Sequence, residues 1–276
     1  AYTELMDDAV EGFSDNTRII YEMDIKTEIT LGGGKDDTLT KEPFTVYISG
    51  IDTYGEVSET SRSDVNIIAV VNPTTHQILL ITTPRDSFVP LYGPDVEQGA
   101  MDKLTHAGVY GIETSMETLG ALYETDINYF VRLNFTSLID IVDILGGVDV
   151  YSEYEFTTGT ESGCIVDVQK GLNHFNGEQA LAFSRERHNL EDGDNQRGRN
   201  QQAVITGLLK KVISPTMLIR AGSLMNQVSK DVEMNVTQAQ LNTLIRDQLS
   251  TNAKWSIQSV DLTGEGGREY CYSASD

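Results

Sequence analysis

The chain has 276 residues, with 20 Lys and Arg against 42 Asp and Glu, giving a formal charge of -22 at pH 7. Hydrophobic residues make up 39% and charged residues 22%, the make-up of a folded protein with a substantial core rather than of a disordered acidic tail. The acidity excludes a general nucleic-acid binder, which needs a domain-wide basic surface, so any anionic ligand must be held by a local basic cluster.

Residues 1 to 43 read as an N-terminal segment, the end of a small separate element and its linker, with a boundary near Pro43. One strand is expected over Arg18 to Glu28. The run Leu31-Gly32-Gly33-Gly34-Lys35-Asp36-Asp37 reads as a loop, because consecutive glycines lose much backbone entropy on ordering and pack nothing. From residue 44 to 276 the pattern is that of one domain. Phe44 to Ile51, Asp64 to Val71 and Gln77 to Thr82 are short β-branched runs bounded by turn residues, and the middle one is apolar enough for a strand covered on both faces. A helix follows over Gly111 to Tyr123, a strand over Asn128 to Asn134, and a helix over Thr136 to Leu145 stopped by Gly146-Gly147. Asn176 is a helix cap for a segment running through Phe183. The longest helical pattern is Gln196 to Ile213, where Val204, Leu208, Leu209 and Val212 form an apolar stripe that ends before Pro215. A helix over Thr237 to Leu249 and a strand over Trp255 to Val260 complete the series. Alternating strands and helices imply an α/β layered domain.

No run approaches the roughly 18 apolar residues of a membrane span. The chain starts at Ala1 rather than Met, so an upstream signal or anchor is expected to have been removed. Two cysteines, Cys164 and Cys271, are too few for a disulfide scaffold or a cysteine-based zinc site; an oxidising compartment would allow one bridge between them. His76, His106, His174 and His188 show no metal-ligand spacing and read as structural or exposed.

The basic residues are not spread evenly. Arg62 precedes a strand, Arg85 follows one, and Arg185, Arg187, Arg197 and Arg199 lie in a stretch, 185 to 211, of six bases and four acids. Arg185 and Arg187 alternate, so in an extended segment both point the same way, while Arg197 and Gln201 share a helix face. Islands at the ends of α/β elements converge where such folds place ligands, and grouped guanidiniums suit a phosphate or pyrophosphate. The alternative is that each arginine pairs with a nearby acid on a solvated face. Asp52, Asp64, Asp86 and Asp194 lie in the same turns, either as turn caps or as carboxylates beside a magnesium–pyrophosphate group. No Walker pattern, dinucleotide fingerprint or Gly-x-Ser-x-Gly elbow occurs.

Several ordered segments carry a family resemblance. Ile48-Ser49-Gly50-Ile51-Asp52, Ser61-Arg62-Ser63-Asp64, Thr83-Pro84-Arg85-Asp86-Ser87, Asp102-Lys103-Leu104-Thr105-His106-Ala107, Leu145-Gly146-Gly147-Val148, Asn176-Gly177-Glu178-Gln179-Ala180, Ser184-Arg185-Glu186-Arg187 and Asp194 to Gln202 resemble the LytR–CpsA–Psr family, in the family's order, over roughly Phe44 to Ile213. The resemblance implies a single-pass, membrane-anchored enzyme with its catalytic domain outside the cell, mostly of Gram-positive envelopes. Such enzymes transfer a teichoic acid or capsular polysaccharide from a polyprenyl-pyrophosphate carrier to peptidoglycan. It implies Arg62, Arg85, Lys103, Arg185, Arg187, Arg197 and Gln201 as pyrophosphate-binding residues, with Arg85 and Asp52 catalytic. Asp64 and Asp194 are implied as ligands of Mg²⁺. Asp52 and Asp86 both remain open as the general base. Arg199 is left out, because many members have Arg at the position of Asn200 and one residue turns a helix by about 100°. The lipid is expected in an apolar tunnel between sheet and helices, lined in part by Tyr129 to Leu145. Residues 1 to 43 are similar to the tail of the accessory domain of streptococcal-type members. The fold expected is a layered α-β-α domain with a central mixed sheet flanked by helices, plus that small N-terminal remnant. The same site using water would be a polyprenyl-pyrophosphate phosphatase, and a non-catalytic lipid-pyrophosphate or cell-wall binding protein is the remaining alternative. A transcriptional role, which older names in this family suggest, conflicts with the charge and with the lack of a helix-turn-helix signal, and no nucleic acid is expected as a partner.

Overall fold

Three apolar runs form the centre of a six-stranded mixed sheet. These are β1 (Phe44–Gly50), β2 (Val65–Asn72) and β3 (Gln77–Thr82), joined as antiparallel neighbours. The computed structural model describes residues 39–55, 57, 60–187, 194–218, 232–262, 267 and 269–272. The strand expected over Arg18 to Glu28 and the glycine-rich linker lie outside the described residues. The sheet is extended on one side by β6 (Tyr129–Leu133), parallel to β1, with the short β11 (Glu233–Met234) antiparallel at the edge. On the other side β12 (Ser256–Asp261) runs parallel to β3.

Period-two alternation divides the strand side chains between two cores. Tyr47, Ile68, Val70, Leu79 and Ile81 pack on one face with Met116, Leu119 and Leu122 of a helix over Ile112–Tyr123. Ile48, Ile67, Ala69, Ile78 and Leu80 pack on the other with Ile205 and Leu209 of the long helix Asp194–Val212. Every residue of β3 is buried, and full burial of a Leu or Ile contributes about 1.5–3 kcal/mol, so this two-sided covering anchors the domain. Among the described residues the helices are, in chain order, α1 (Leu104–Ala107), α2 (Ile112–Tyr123), α3 (Phe135–Ile144), α4 (Gly177–Arg185), α5 (Asp194–Val212), α6 (Pro215–Leu218) and α7 (Gln238–Thr251). The result is the α-β-α layering expected from the sequence.

Three helix starts are set locally. Asn134, Asn176 and Thr237 each cap a helix in a reciprocal capping box, with Ser137, Gln179 and Gln240 as the third-position partners. A third core joins α3, α4 and α5 to β7 (Val148–Ser152) and β10 (Gly171–Phe175), through Val142, Val148, Phe183 and Val204 among others. There α4 approaches α3 so closely that a Cβ on Gly177 would run into the Ile139 carbonyl. Two more small antiparallel pairs decorate the domain: β4 (Phe88–Leu91) with β5 (Ala100–Lys103), and β8 (Phe156–Thr157) with β9 (Asp167–Val168).

Two charged groups inside this frame fare differently. Arg132, 1% exposed on β6, donates to Glu233 on β11 at 3.2 Å and so ties the edge strand to the sheet. Asp261 at the end of β12 is pushed up to about 6, first by burial and also by the Glu153 charge, with Arg199 opposing. A carboxyl raised in the folded state binds more protons than the unfolded chain between its ordinary 3.8 and about 6. This group therefore costs stability above that window, and the cost is lost as pH falls through it. Asp261→Asn is expected to raise the Tm at neutral pH by a few degrees, with the gain shrinking to nothing as melting is repeated toward the lower end of the window. Cys164 and Cys271 are free thiols rather than a bridge. Among the described residues no helix is long and apolar enough to cross a membrane.

Candidate active site

Sheet register brings one edge of the domain together. Gly50 at the end of β1 faces Val65 at the start of β2, and β3 returns so that Thr82 faces Ile67. The parallel β6 ends beside β1, where Gly50 faces Leu133. The turns leaving these strand ends therefore share one rim, carrying Asp52, Asp64, Arg85 and Asn134. They are held by backbone bonds: Asp64 N–H donates to the Gly50 carbonyl at 2.8 Å, Ile51 N–H to Leu133 at 2.9 Å, and Thr105 N–H to Arg85 at 2.9 Å. Gly50 lets the turn close, since a Cβ there would stand 2.7 Å from the Val65 side chain.

Helices supply the opposite wall. Arg197, Gln201, Val204 and Ile205 line a cavity of about 240 Å³, and their spacing puts them on one stripe of α5 that changes from polar to apolar along its length. Leu181, Ser184 and Arg185 reach it from α4, and Phe135 and Leu138 from α3. The guanidinium of Arg185 sits 4.4 Å over the Phe135 ring, a cation–π contact that braces it at the mouth of the apolar part. The segment expected to be extended, Ser184 to His188, is helical through Arg185 and turns only at Glu186, whose φ of -63° and ψ of 134° are extended. Arg185 and Arg187 nevertheless both line the cavity, while Glu186 points inward. Buried to 1% exposure, Glu186 accepts hydrogen bonds from Gly159 N–H at 2.5 Å, Ser162 Oγ at 3.0 Å and Arg187 N–H at 3.0 Å.

The acids at the rim are electrostatically distinct. Asp64 bonds the Arg85 guanidinium directly and accepts the Asp52 backbone N–H. Burial nonetheless raises its carboxyl above the ordinary value; the Arg85 and Arg197 charges lower it, and the Asp52 charge adds to the rise. A buried carboxylate held up beside a second carboxylate is a place where a cation relieves repulsion, and Asp64 offers a hard oxygen donor of the kind Mg²⁺ takes. Asp194 opens α5, but its side chain lies outside the described residues. Burial alone would raise Asp86, but its hydrogen bond from Lys103 at 2.9 Å and the charges of Lys103, Arg85 and Arg197 hold it below its ordinary value.

Of the residues singled out from the sequence, Asp52, Asp64, Arg85, Arg185, Arg187, Arg197 and Gln201 meet in the one cavity. Arg62 is exposed and does not line it, and Lys103 stands outside it, paired with Asp86. Between Asp52 and Asp86, only Asp52 lines the cavity. Arg199 faces a different groove, where it donates to Gln196 Oε1 and lies near Glu153, while Asn200 donates to the Phe183 carbonyl. Glu161 and Ser162 line the cavity without having been singled out, and loop residues of these types carry no signal in a single sequence.

Comparison with known proteins points in one direction. The LytR_cpsA_psr family model matches residues 11–275. The polyisoprenyl-teichoic acid–peptidoglycan teichoic acid transferase TagU of Bacillus mycoides is 30% identical over 226 residues, covering 82% of this chain and 70% of that protein. The chain spans 63% of the TagU of Bacillus anthracis. Protein gbs0355 of Streptococcus agalactiae superposes with a TM-score of 0.71 at 28% identity, over 84% of this chain and 81% of that one. A structure of TagT bound to LI-WTA superposes with a TM-score of 0.65 at 27% identity, over 86% and 83% of the two chains.

Proposed function

The chain belongs to the LytR–CpsA–Psr family, and from that premise we propose that it is a phosphotransferase attaching an anionic glycopolymer, a teichoic acid or capsular polysaccharide, from a polyprenyl-pyrophosphate carrier to peptidoglycan. The observation that carries this reading is the cavity's division of labour. Four guanidiniums, from Arg85, Arg185, Arg187 and Arg197, gather with Asp64 and Asp52 where the sheet ends, in a chain whose net charge is -22. The same cavity continues between Ile48 and Val65 of the sheet and Leu138, Leu181, Val204 and Ile205 of the helices. A ligand with a doubly charged phosphate head and a hydrocarbon chain matches both halves. Relatives named teichoic acid transferase, and the TagT structure with LI-WTA bound, support the substrate class.

Forked guanidiniums bind phosphate oxygens bidentately and stay charged at all working pH, so they hold the pyrophosphate and offset charge that grows as the bond to the departing polyprenyl phosphate breaks. The attacking group is a peptidoglycan sugar hydroxyl, and the phosphorus it attacks carries the glycopolymer. Asp52, at the exposed rim of the cavity, is the carboxylate we assign to accept the hydroxyl proton. Arg85 holds Asp64 in place through their ion pair. We further propose that Asp64, with Asp194 and the substrate phosphates, holds Mg²⁺; when bound, the ion supplies charge neutralisation for the phosphoryl groups. A lipid-linked donor and a wall acceptor place the reaction at the outer face of the cell membrane, to which we propose this domain is anchored.

The test is a transfer assay with purified protein, Mg²⁺ and a labelled polyprenyl-pyrophosphate oligosaccharide, with and without peptidoglycan fragments. Label should move onto the fragments. Release of polyprenyl phosphate without a sugar–wall product would replace the transferase reading by a phosphatase one, and binding without either product by a non-catalytic one.

A further inference from the structure

Away from the cavity, on the same side of the domain as the β4–β5 hairpin, three side chains with metal-binding chemistry come together from distant parts of the chain. We propose that Asp102, His106 and Cys271 form a Zn²⁺ site that pins the C-terminal segment onto the β4–β5 hairpin. One donor atom from each lies within 4.8 Å of the others. A tetrahedral Zn²⁺, with bonds of about 2.0–2.3 Å, sets its ligands roughly 3.3–3.8 Å apart, so closing the site takes an approach of up to about 1 Å by Cys271 and an opening of roughly 0.6 Å between Asp102 Oδ1 and His106 Nδ1, whose shared proton the ion displaces. Cys271, only half-buried on a short segment, is the ligand free to make that movement.

The other two ligands are already held. Asp102 is fully buried, and its Oδ1 accepts both its neighbour's backbone, Lys103 N–H at 2.7 Å, and His106 Nδ1 at 2.7 Å. His106 lies on α1, four residues on, with its side chain 14% exposed, so the pair is rigid on one side and reachable from the other. The third ligand arrives by a strand-like contact: Tyr272 N–H donates to the Met101 carbonyl at 3.0 Å, and the Tyr272 ring lies 6.5 Å from that of Tyr110. Those two contacts present Cys271 to Asp102.

The chemistry of the trio selects among its uses. Burial, then the hydrogen bond and charge of Asp102, push the Cys271 thiol up, which keeps it protonated and argues against a reactive thiolate activated by imidazole. A metal reverses that preference: Zn²⁺ displaces the thiol proton to solvent and binds the sulfur as thiolate. One sulfur, one imidazole nitrogen and one carboxylate oxygen form a set that Zn²⁺ accepts and that the oxygen-preferring Mg²⁺ and Ca²⁺ do not favour. Three protein ligands leave a fourth position for water. The clamp would sit on the strand that carries Lys103, whose ammonium pairs with Asp86 next to Arg85, so it would steady the rim of the cavity from behind.

The test uses the whole chain, stripped of metal and kept reduced, and does not depend on transfer activity. Zn²⁺ titrated against a chromophoric chelator should bind stoichiometrically, and Cys271→Ser should weaken it by at least about tenfold, while Cys164→Ser leaves it unchanged. Substitution with Co²⁺ should give a thiolate charge-transfer band that Cys271→Ser abolishes. In the unaltered protein, Zn²⁺ should slow alkylation of Cys271 by iodoacetamide and leave Cys164 unaffected, which keeps the test valid if a variant folds poorly. No Zn²⁺ binding, a cobalt band that survives in Cys271→Ser, or equal protection of both cysteines would each overturn the proposal.

Discussion

Arg85→Ala is expected to reduce glycopolymer transfer by about 10²–10³-fold, the usual loss when one fixed donor to developing transition-state charge is removed. The variant should still fold. Arg85 is 29% exposed at its side chain, contributes no core surface, and its carbonyl keeps the bond from Thr105 N–H whatever side chain it carries. Its ion-pair partner Asp64 already sits above its ordinary pKa through burial, and losing the Arg85 charge would push it further up. Two effects then combine, less charge on the phosphates and a carboxylate that more readily stays protonated. Arg85→Lys should restore part of the rate by returning a charge without the bidentate fork. Single-turnover transfer measured beside lipid-pyrophosphate binding separates the two roles: a fall in rate at saturating donor marks transition-state stabilisation, and a rise in KM alone marks binding. A wild-type rate in Arg85→Ala would remove the residue from the chemistry.

Glu186→Ala should be the most damaging single change to stability near the site, on the order of 3 kcal/mol. Its carboxylate accepts three bonds in a fully buried position, and truncation strands Gly159 N–H and Ser162 Oγ with no solvent to replace the acceptor. For a domain of this size that corresponds to a Tm lowered by roughly 10 °C, read by calorimetry or far-UV melting. Glu186→Gln keeps the shape and one acceptor oxygen, so it should fall between alanine and the native protein. The loss should reach the ligand as well. Glu161, Ser162 and Arg187 line the cavity, and Glu186 fastens the turn that carries the first two to the backbone of the third. A Tm unchanged in Glu186→Ala would show that this network does not hold the wall.

These two residues mark how far a single sequence reaches. The helix start at Asn176 was legible because a cap and its third-position partner are neighbours in the chain, while the same arrangement at Asn134, which the sequence reading placed in a strand, emerged only in the structure. The central strands were legible because burial on both faces demands near-continuous apolar runs. The hairpin of β4 and β5 was not, since Phe-Val-Pro-Leu and Ala-Met-Asp-Lys carry a weak strand pattern and form by pairing with each other. Nor was the buried Arg132, whose partner Glu233 lies 101 positions away on a two-residue strand.

The sequence by itself determined the α/β layering, the family resemblance and the arginine islands, because capping, period-two alternation and local charge density act between residues a few positions apart. Which arginines share a cavity was decided by the tertiary structure. Sheet register aligns the ends of β1, β2, β3 and β6, and the stripe of α5 that faces them takes in Arg197 and turns Arg199 away. The meeting of Cys271 with Asp102 and His106 was decided in the same way, since cysteine and histidine spacing along the chain is silent on contacts made by a segment that folds back from its far end. Local interactions choose the elements; the contacts between elements, each worth little until many form together, choose the sites.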